Sequence, residues 1–350
     1  MIDNHTADTT HKTRDIIVIG ASAGGVEPLG DLISNIPDSF SGTIFIVQHM
    51  PAYAESYLAH ILNRKSPIPV LPAEDGLVFE KGKIYCCQPD RHLILEGDKM
   101  LLSSGPKENR FRPSIDALFR SAAYEYKERV TGVVLSGSLN DGTAGMCTIK
   151  RFGGVSMIQL PDEAIFSSMP IEVGKYTEVD YSLPAAELGV LIGELSQNPI
   201  EINQQLISEN IELIKKEIEI AKNKNALGLG VFESDRYTPF TCPDCNGALV
   251  QMTEEGIIRF RCHTGHGFTS DALLAGVTEN MERDLWKVMR GMEEGNLVLK
   301  HLSTEFEKIG ASAISKTFDE KAKILIKKSR KIHGIIKEAD VMSIEKLEAS

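Results

Sequence analysis

Ile16-Ile17-Val18-Ile19-Gly20-Ala21-Ser22-Ala23-Gly24-Gly25 decides the fold: four β-branched residues run without polar alternation into a glycine-rich turn, and a helical pattern, Val26–Asn35, follows. An uninterrupted apolar run of this length is what a strand buried on both faces requires. The same character returns in Thr43-Ile44-Phe45-Ile46-Val47, Gly132-Val133-Val134-Leu135 and Gly154-Val155-Ser156-Met157-Ile158, with helical patterns at 54–63, 113–128 and 143–151 between them. Strands alternating with helices predict an α/β fold, a doubly wound, mostly parallel sheet with helices on both faces, over residues 15–198. From Val70 to Ser103, Asp75-Gly76, Lys81-Gly82 and Glu96-Gly97-Asp98 break the runs, which predicts antiparallel hairpins inserted in the sheet.

The pentad Gly20-Ala21-Ser22-Ala23-Gly24 fits G-x-S-x-G, in which small flanking residues allow a sharp strand-to-helix turn that exposes a serine hydroxyl. A glycine-rich turn of this kind also suits an anion-binding loop, although neither G-x-G-x-x-G nor G-x-x-x-x-G-K-[ST] is met. A serine nucleophile needs a base and a group to orient the base. His49 follows the second strand and Asp141 a later one, so in a parallel sheet both would share the edge that carries Ser22. The order Ser, His, Asp differs from that of the α/β-hydrolases. Taken singly, His49 reads as a loop histidine and Asp141 as the N-cap of the helix starting at Thr143.

Gly20-Ala21-Ser22 with Gly24-Gly25, Gln48-His49-Met50-Pro51, Arg112-Pro113-Ser114-Ile115-Asp116, Asn140-Asp141-Gly142 with Ala144-Gly145-Met146, and Asp162-Glu163-Ala164 through Ser168-Met169-Pro170 together resemble the catalytic domain of the chemotaxis protein-glutamate methylesterases. The resemblance spans nearly all of residues 15–195 and implies hydrolysis of glutamyl methyl esters on the cytoplasmic helices of methylated chemotaxis receptors, with glutamine deamidation as a companion activity. It implies Ser22 as nucleophile, His49 as general base and acid, and Asp141 as the group orienting His49. The chain departs from the family pattern at Ala23, where threonine is usual, and at Ser138-Leu139, where Met-Gly is usual. The methionine is associated with the oxyanion hole, and leucine in place of glycine is expected to remove access to positive φ. These departures keep open a signalling adaptor that retains the esterase fold with little activity; a nucleotide-binding module using the glycine turn would need neither His49 nor Asp141. The family's receiver domain is expected to be missing, since only 14 polar residues precede the first strand.

Cys242-Pro243-Asp244-Cys245 and Cys262-His263-Thr264-Gly265-His266 give C-x2-C-x16-C-x3-H, four ligands for a closed tetrahedral zinc site over residues 235–269. His266 is preferred to His263 because adjacent Cys-His side chains rarely reach one ion. Four protein ligands leave no position for water, so the expected zinc is structural and separate from the chemistry, and a 1–200 fragment is expected to keep its activity. No cofactor is expected for catalysis. Cys86, Cys87 and Cys147 read as core residues, His92 as structural, and Arg112 and Asp116 as cap and surface charge or as substrate-positioning groups.

Residues 199–234 read as a helical linker, with Ile202, Leu206, Ile211, Ile214 and Ile218 as its stripe. Residues 270–350 are helical, with seven-residue seams at Leu285, Met292, Leu299 and Phe306 and at Val288, Gly295, Leu302 and Ile309. A break at Gly310-Ala311-Ser312 and a second stripe at Leu325, Ile332, Ile336 and Ala339 predict a helical hairpin that offers a residual face to a signalling partner. The basic run Lys321–Lys331 reads as a solvated helix face.

A net charge of −11 on 350 residues argues against a nucleic-acid surface, and 42% hydrophobic with 25% charged residues is ordinary for a globular chain of more than one domain. No run approaches the ~20 apolar residues of a membrane helix. The polar residues 1–14 are expected to be a disordered tail without the apolar region of a signal peptide, and the protein to be cytoplasmic.

Overall fold

The computed structural model describes residues 13–53, 55–200, 211–224, 226–230, 236–254 and 256–338. Its elements run β1 (Ile16–Ala21), α1 (Val26–Ser34), β2 (Thr43–Gln48), α2 (Leu58–Asn63), β3 (Val70–Pro72), β4 (Lys83–Cys86), β5 (His92–Glu96), β6 (Lys99–Ser103), α3 (Ile115–Tyr126), β7 (Val130–Val134), α4 (Thr143–Arg151), β8 (Val155–Gln159), α5 (Ser168–Tyr176), β9 (Tyr181–Leu183), α6 (Ala185–Leu195) and α7 (Ile211–Ala221). There follow β10 (Tyr237–Thr241), β11 (Ala248–Glu254), β12 (Ile257–Cys262), β13 (Gly267–Thr269), α8 (Ser270–Lys308) and α9 (Ser312–Glu338). The chain divides into two compact units, residues 1–272 and 273–350.

In the first unit seven strands form one sheet in the order β3-β4-β2-β1-β7-β8-β9, every neighbouring pair parallel. The central strand explains the apolar run. Ile16 and Val18 enter one core with Leu118 and Phe119 of α3 and Met146 of α4, while Ile17 and Ile19 enter the other with Leu29 and Leu32 of α1 and Ile192 of α6. Both faces are dry, and each such side chain contributes about 1.5–3 kcal/mol by leaving water.

The hairpin reading of 70–103 is corrected in one respect. β3 and β4 are parallel strands at one side of the main sheet, and only β5 and β6 pair as an antiparallel hairpin, outside that sheet, turning at Gly97 with φ 58°. The Gly-containing breaks that read as hairpin turns are crossover connections in the first two cases, which local turn chemistry cannot distinguish.

β10-β11-β12-β13 form a four-stranded antiparallel sheet in the same unit. It is held to the rest by buried charge. Glu108, Glu217 of α7 and Glu254 meet Arg120 of α3 with Arg259 and Arg261 of β12, all within 1% exposure. Burial alone would raise the Glu108 carboxyl, but Arg120, Arg261 and Arg259 hold it well below the usual carboxylate range. Of the linker stripe, Ile211, Ile214 and Ile218 lie in α7, and Ile214 and Ile218 join the core; Ile202 and Leu206 fall outside the described residues, as do residues 1–12 of the expected tail.

The second unit is an antiparallel helix pair. Phe306 faces Phe318 with centroids 5.4 Å apart, Asn296 Nδ2 donates to Ala322 O at 2.8 Å, and Trp286 lies 6.0 Å from His333. The first predicted seam is right: Leu285, Met292, Leu299 and Phe306 are half-buried. The second holds only in its middle, where Gly295 and Leu302 are half-buried; Val288 and Ile309 are exposed, and the positions that face α9 include Asn296 and Ser303. A polar residue in a seam hides it from a hydrophobic-period search, yet Ser303 Oγ satisfies itself on Ser315 O at 3.0 Å. On α9 the fully buried row is Ser315, Ala322, Ser329 and Ile336, three of them small enough for close helix approach. Ala339 is outside the described residues. Among the described residues no helix is long and apolar enough to cross a membrane.

Candidate active site

Ser22 follows β1 directly, His49 follows β2 directly, and Asp141 lies in the loop after β7; these three strands are adjacent and parallel, so all three residues reach the carboxyl edge of the sheet. His49 Nδ1 is 3.0 Å from Ser22 Oγ, and His49 Nε2 is 2.8 Å from Asp141 Oδ2. An ionised Asp141 only accepts, so Nε2 carries the proton and Nδ1 is the acceptor for the serine hydroxyl. The ring therefore uses its nitrogens the other way round from the protease template, where Nε2 faces the serine.

The turn that carries Ser22 depends on two glycines. Gly24 has φ 67°, a left-handed conformation that side chains resist. At Gly137 a Cβ would lie 2.0 Å from Met169 Sδ and 2.8 Å from Ser22 Cβ, so the neighbouring strand end can pass the serine only without a side chain. Gln48, quoted in the sequence motif without a role, holds the turn from the other side: its Nε2 donates to Ser22 O at 2.7 Å and to His49 O at 3.1 Å.

Asp141 is not the N-cap of the following helix; Gly142 occupies that position. Its carboxylate instead sits at the N-terminus of α3. Oδ2 accepts from Ile115 N at 2.7 Å as well as from His49, and Oδ1 accepts from Ser114 Oγ and Asn109 Nδ2, both at 2.9 Å. Asp116, in the first turn of α3, answers by accepting Gly142 N at 3.0 Å and Gly145 N at 2.7 Å at the start of α4. Each helix start is thus met by an acid from beside the other, Asp141 from the loop before α4 and Asp116 from α3, an arrangement the positive helix N-termini favour. Burial works to raise Asp141, yet His49, Asn109 and the Ile115 amide hold it below the usual carboxylate range. Burial and the Asp141 charge push Asp116 up to about 7, so surface charge is not its role.

Arg112 is anchored on Asp90 and on the Ser104 and Gly105 carbonyls. His92 is structural: it is buried, its Nε2 donates to Pro106 O at 2.9 Å, and its Nδ1 accepts Ser114 N–H at 3.2 Å. Burial lowers its pKa and keeps the imidazole neutral. Cys86 and Cys147 are buried with thiols pushed up to about 12, and Cys87 is raised further by burial; all three are inert core residues.

Phe111 stacks on His49 with centroids 3.7 Å apart and planes 10° from parallel. With Asn109 it belongs to the segment 106–114, which has no strand or helix period and so gave the sequence reading no signal beyond the Arg112-Pro113 motif. Ser22, His49, Lys107, Arg110, Phe111 and Arg112 line a cleft of about 380 Å³. Leu139 takes φ 65°, contrary to the expectation that leucine would bar positive φ. The conformation costs about 1–2 kcal/mol.

At the second cluster Cys242, Cys245, Cys262 and His266 bring their ligand atoms within 4.8 Å of one another. Cys245 and Cys262 sulfurs are 3.6 Å apart, and His266 Nδ1 is 3.5 Å from Cys262 and 3.7 Å from Cys242. Tetrahedral metal–sulfur bonds of about 2.3 Å put sulfurs about 3.8 Å apart, so the cluster fits such an ion. His263 is exposed and packs beside Gly247. The strand after this cluster packs beside the candidate active site: Gly267 N donates to Lys107 O, Asn109 N donates to Gly267 O, and Thr269 N donates to Asn109 Oδ1.

The parallel sheet flanked by helices, with its polar cluster at the carboxyl edge, defines a doubly wound α/β protein. Residues 17–192 match the CheB methylesterase family, and the chain belongs to it. A Leptospira interrogans chain with a provisional name of protein-glutamate methylesterase/protein-glutamine glutaminase is 36% identical over 188 residues, 53% of this chain and 97% of that one. The protein-glutamate methylesterase/protein-glutamine glutaminase of Thermotoga maritima is 34% identical over 184 residues, 51% of this chain and 54% of its own. The crystal structure of the Thermotoga maritima CheB methylesterase catalytic domain superposes with a TM-score of 0.50 at 34% identity, covering 52% of this chain and 98% of that domain.

Proposed function

We propose that the protein hydrolyses glutamyl methyl esters on the helices of methylated chemotaxis receptors, acting in the cytoplasm, with Ser22 as nucleophile, His49 as base and acid, and Asp141 as the group that orients His49. The carrying observation is the unbroken Ser22–His49–Asp141 hydrogen-bond chain at the sheet edge. Ser22 Oγ attacks the ester carbonyl as its proton passes to His49 Nδ1. The imidazolium returns that proton to the departing methoxide, releasing methanol and leaving a glutamyl ester on Ser22. Water, deprotonated by His49, then attacks that ester; the bond to Ser22 Oγ breaks, His49 returns the proton to Ser22, and the glutamate is freed. Deamidation of glutamine follows the same course with ammonia leaving. Lys107 and Arg110 in the cleft suit an acidic receptor helix. Against the adaptor reading, one of the two departures behind it is accommodated: Leu139 adopts the positive φ thought closed to it.

Fluorophosphonate treatment should add one phosphonyl group to the peptide holding Ser22 and stop methyl-ester hydrolysis. Labelling of another residue, or hydrolysis that survives complete labelling, would overturn the reading.

Cys242, Cys245, Cys262 and His266 would hold zinc. Bound there, the ion would supply a structural cross-link and no chemistry, because four protein donors complete its coordination. Elemental analysis should find one zinc per chain, lost in Cys262→Ser; metal content unaffected by that substitution would contradict the assignment.

A further inference from the structure

We propose that Thr269, at the end of β13, and Asn109 are positioning residues for Asp141, so that the strand following the Cys/His cluster completes the esterase site. The proposal rests on the triad reading above. Asn109 is 1% exposed, and its Nδ2 lies 2.9 Å from both Asp141 Oδ1 and Asp116 Oδ2, bridging two facing carboxylates. The ionised Asp141 fixes its NH2 toward them, since the amide oxygen there would face the Asp141 carboxylate. Thr269 N–H sets that orientation by donating to Asn109 Oδ1 at 3.0 Å. The same residue acts a second time: Thr269 Oγ1 donates to Asn140 Oδ1 at 2.7 Å, so the residue preceding Asp141 is held as well. Thr269 Oγ1 also accepts Ala272 N at 3.2 Å, which seats it at the first turn of α8. With Thr269 1% and Asn140 7% exposed, water is poorly placed to replace these bonds.

The positioning is mutual and polar, so its loss should appear in turnover. In the full chain, Thr269→Val keeps the shape and removes the hydroxyl, Thr269→Ser keeps the hydroxyl, and Asn109→Gly removes the amide while tolerating the native φ of 49°. With a glutamyl methyl ester peptide as substrate, kcat should fall about tenfold in Thr269→Val and about a hundredfold in Asn109→Gly, with KM within about twofold and Thr269→Ser near wild type. In an Asp141→Asn background, read by single turnover, Thr269→Val should cost less than about twofold, because the group it positions is already gone. Wild-type kcat in Thr269→Val, a loss that Thr269→Ser does not restore, or the same tenfold loss in the Asp141→Asn background would overturn the proposal. Should Asn109→Gly not fold, Asn109→Ala tests that half, because the Thr269 variants keep the backbone N–H to Asn109 and test only the hydroxyl that bonds Asn140. A wild-type protein without esterase activity, or an active Ser22→Ala variant, would instead sink the triad reading beneath it.

Discussion

Asp141→Asn is expected to lower kcat/KM for a methyl ester about ten-thousand-fold at neutral pH, through the tautomer of His49. The carboxylate receives only donors: His49 Nε2–H and Ile115 N–H at one oxygen, Ser114 O–H and Asn109 N–H at the other. An asparagine must turn its NH2 toward one of these pairs. Facing His49, it favours the imidazole with its proton on Nδ1, the atom that accepts the proton of Ser22 in the proposed mechanism. Facing Asn109, it opposes one NH2 to another. Activity within about tenfold of wild type, in a variant with an unchanged circular dichroism spectrum, would mean that Asp141 does not orient the base.

Glu108→Ala should destabilise the first unit by about 3–5 kcal/mol, because it leaves three buried guanidinium groups with two carboxylates. Glu108 accepts from Arg120 at 3.2 Å, Arg259 at 3.3 Å and Arg261 at 2.9 Å, and none of the four side chains is more than 1% exposed. The thermal midpoint should fall roughly 6–20 °C for a unit of this size. Glu108→Ala reaches β12 through its arginines, so retention of the proposed zinc should weaken in parallel. A shift of less than about 2 °C would show that the cluster relaxes by admitting water.

The sheet was legible because its physics is local in sequence: a strand dry on both faces cannot alternate, and Ile16–Ile19, Thr43–Val47 and Gly132–Leu135 do not. Placing Ser22, His49 and Asp141 on one edge needed only the rule that parallel strands share their carboxyl ends. The helix starting at Thr143 was bounded correctly, whereas the one expected from residue 54 begins only at Leu58. What escaped was long-range polarity. Asp141 looked like a cap for the helix next to it and caps α3 instead, 25 residues earlier. Asn109, Phe111 and Thr269 carry no periodicity, and their partners lie in segments that composition treats as unrelated. Likewise the paired acids and arginines of the buried cluster look, one by one, like solvated charge; Arg259 and Arg261 alternate with apolar residues in β12 as exposed arginines would, yet both are buried.

Methanol released from a methylated receptor fragment, compared between the wild-type chain and Ser22→Ala at equal concentration, tests the central claim most directly. The wild type should release methanol in step with loss of methyl groups from the receptor's glutamates, and Ser22→Ala should fall to background with its fold intact, since one hydroxyl on a turn contributes little to stability. Equal release by the two proteins, or none by either with receptor methylation confirmed, would contradict the claim that Ser22 makes this chain a methylesterase.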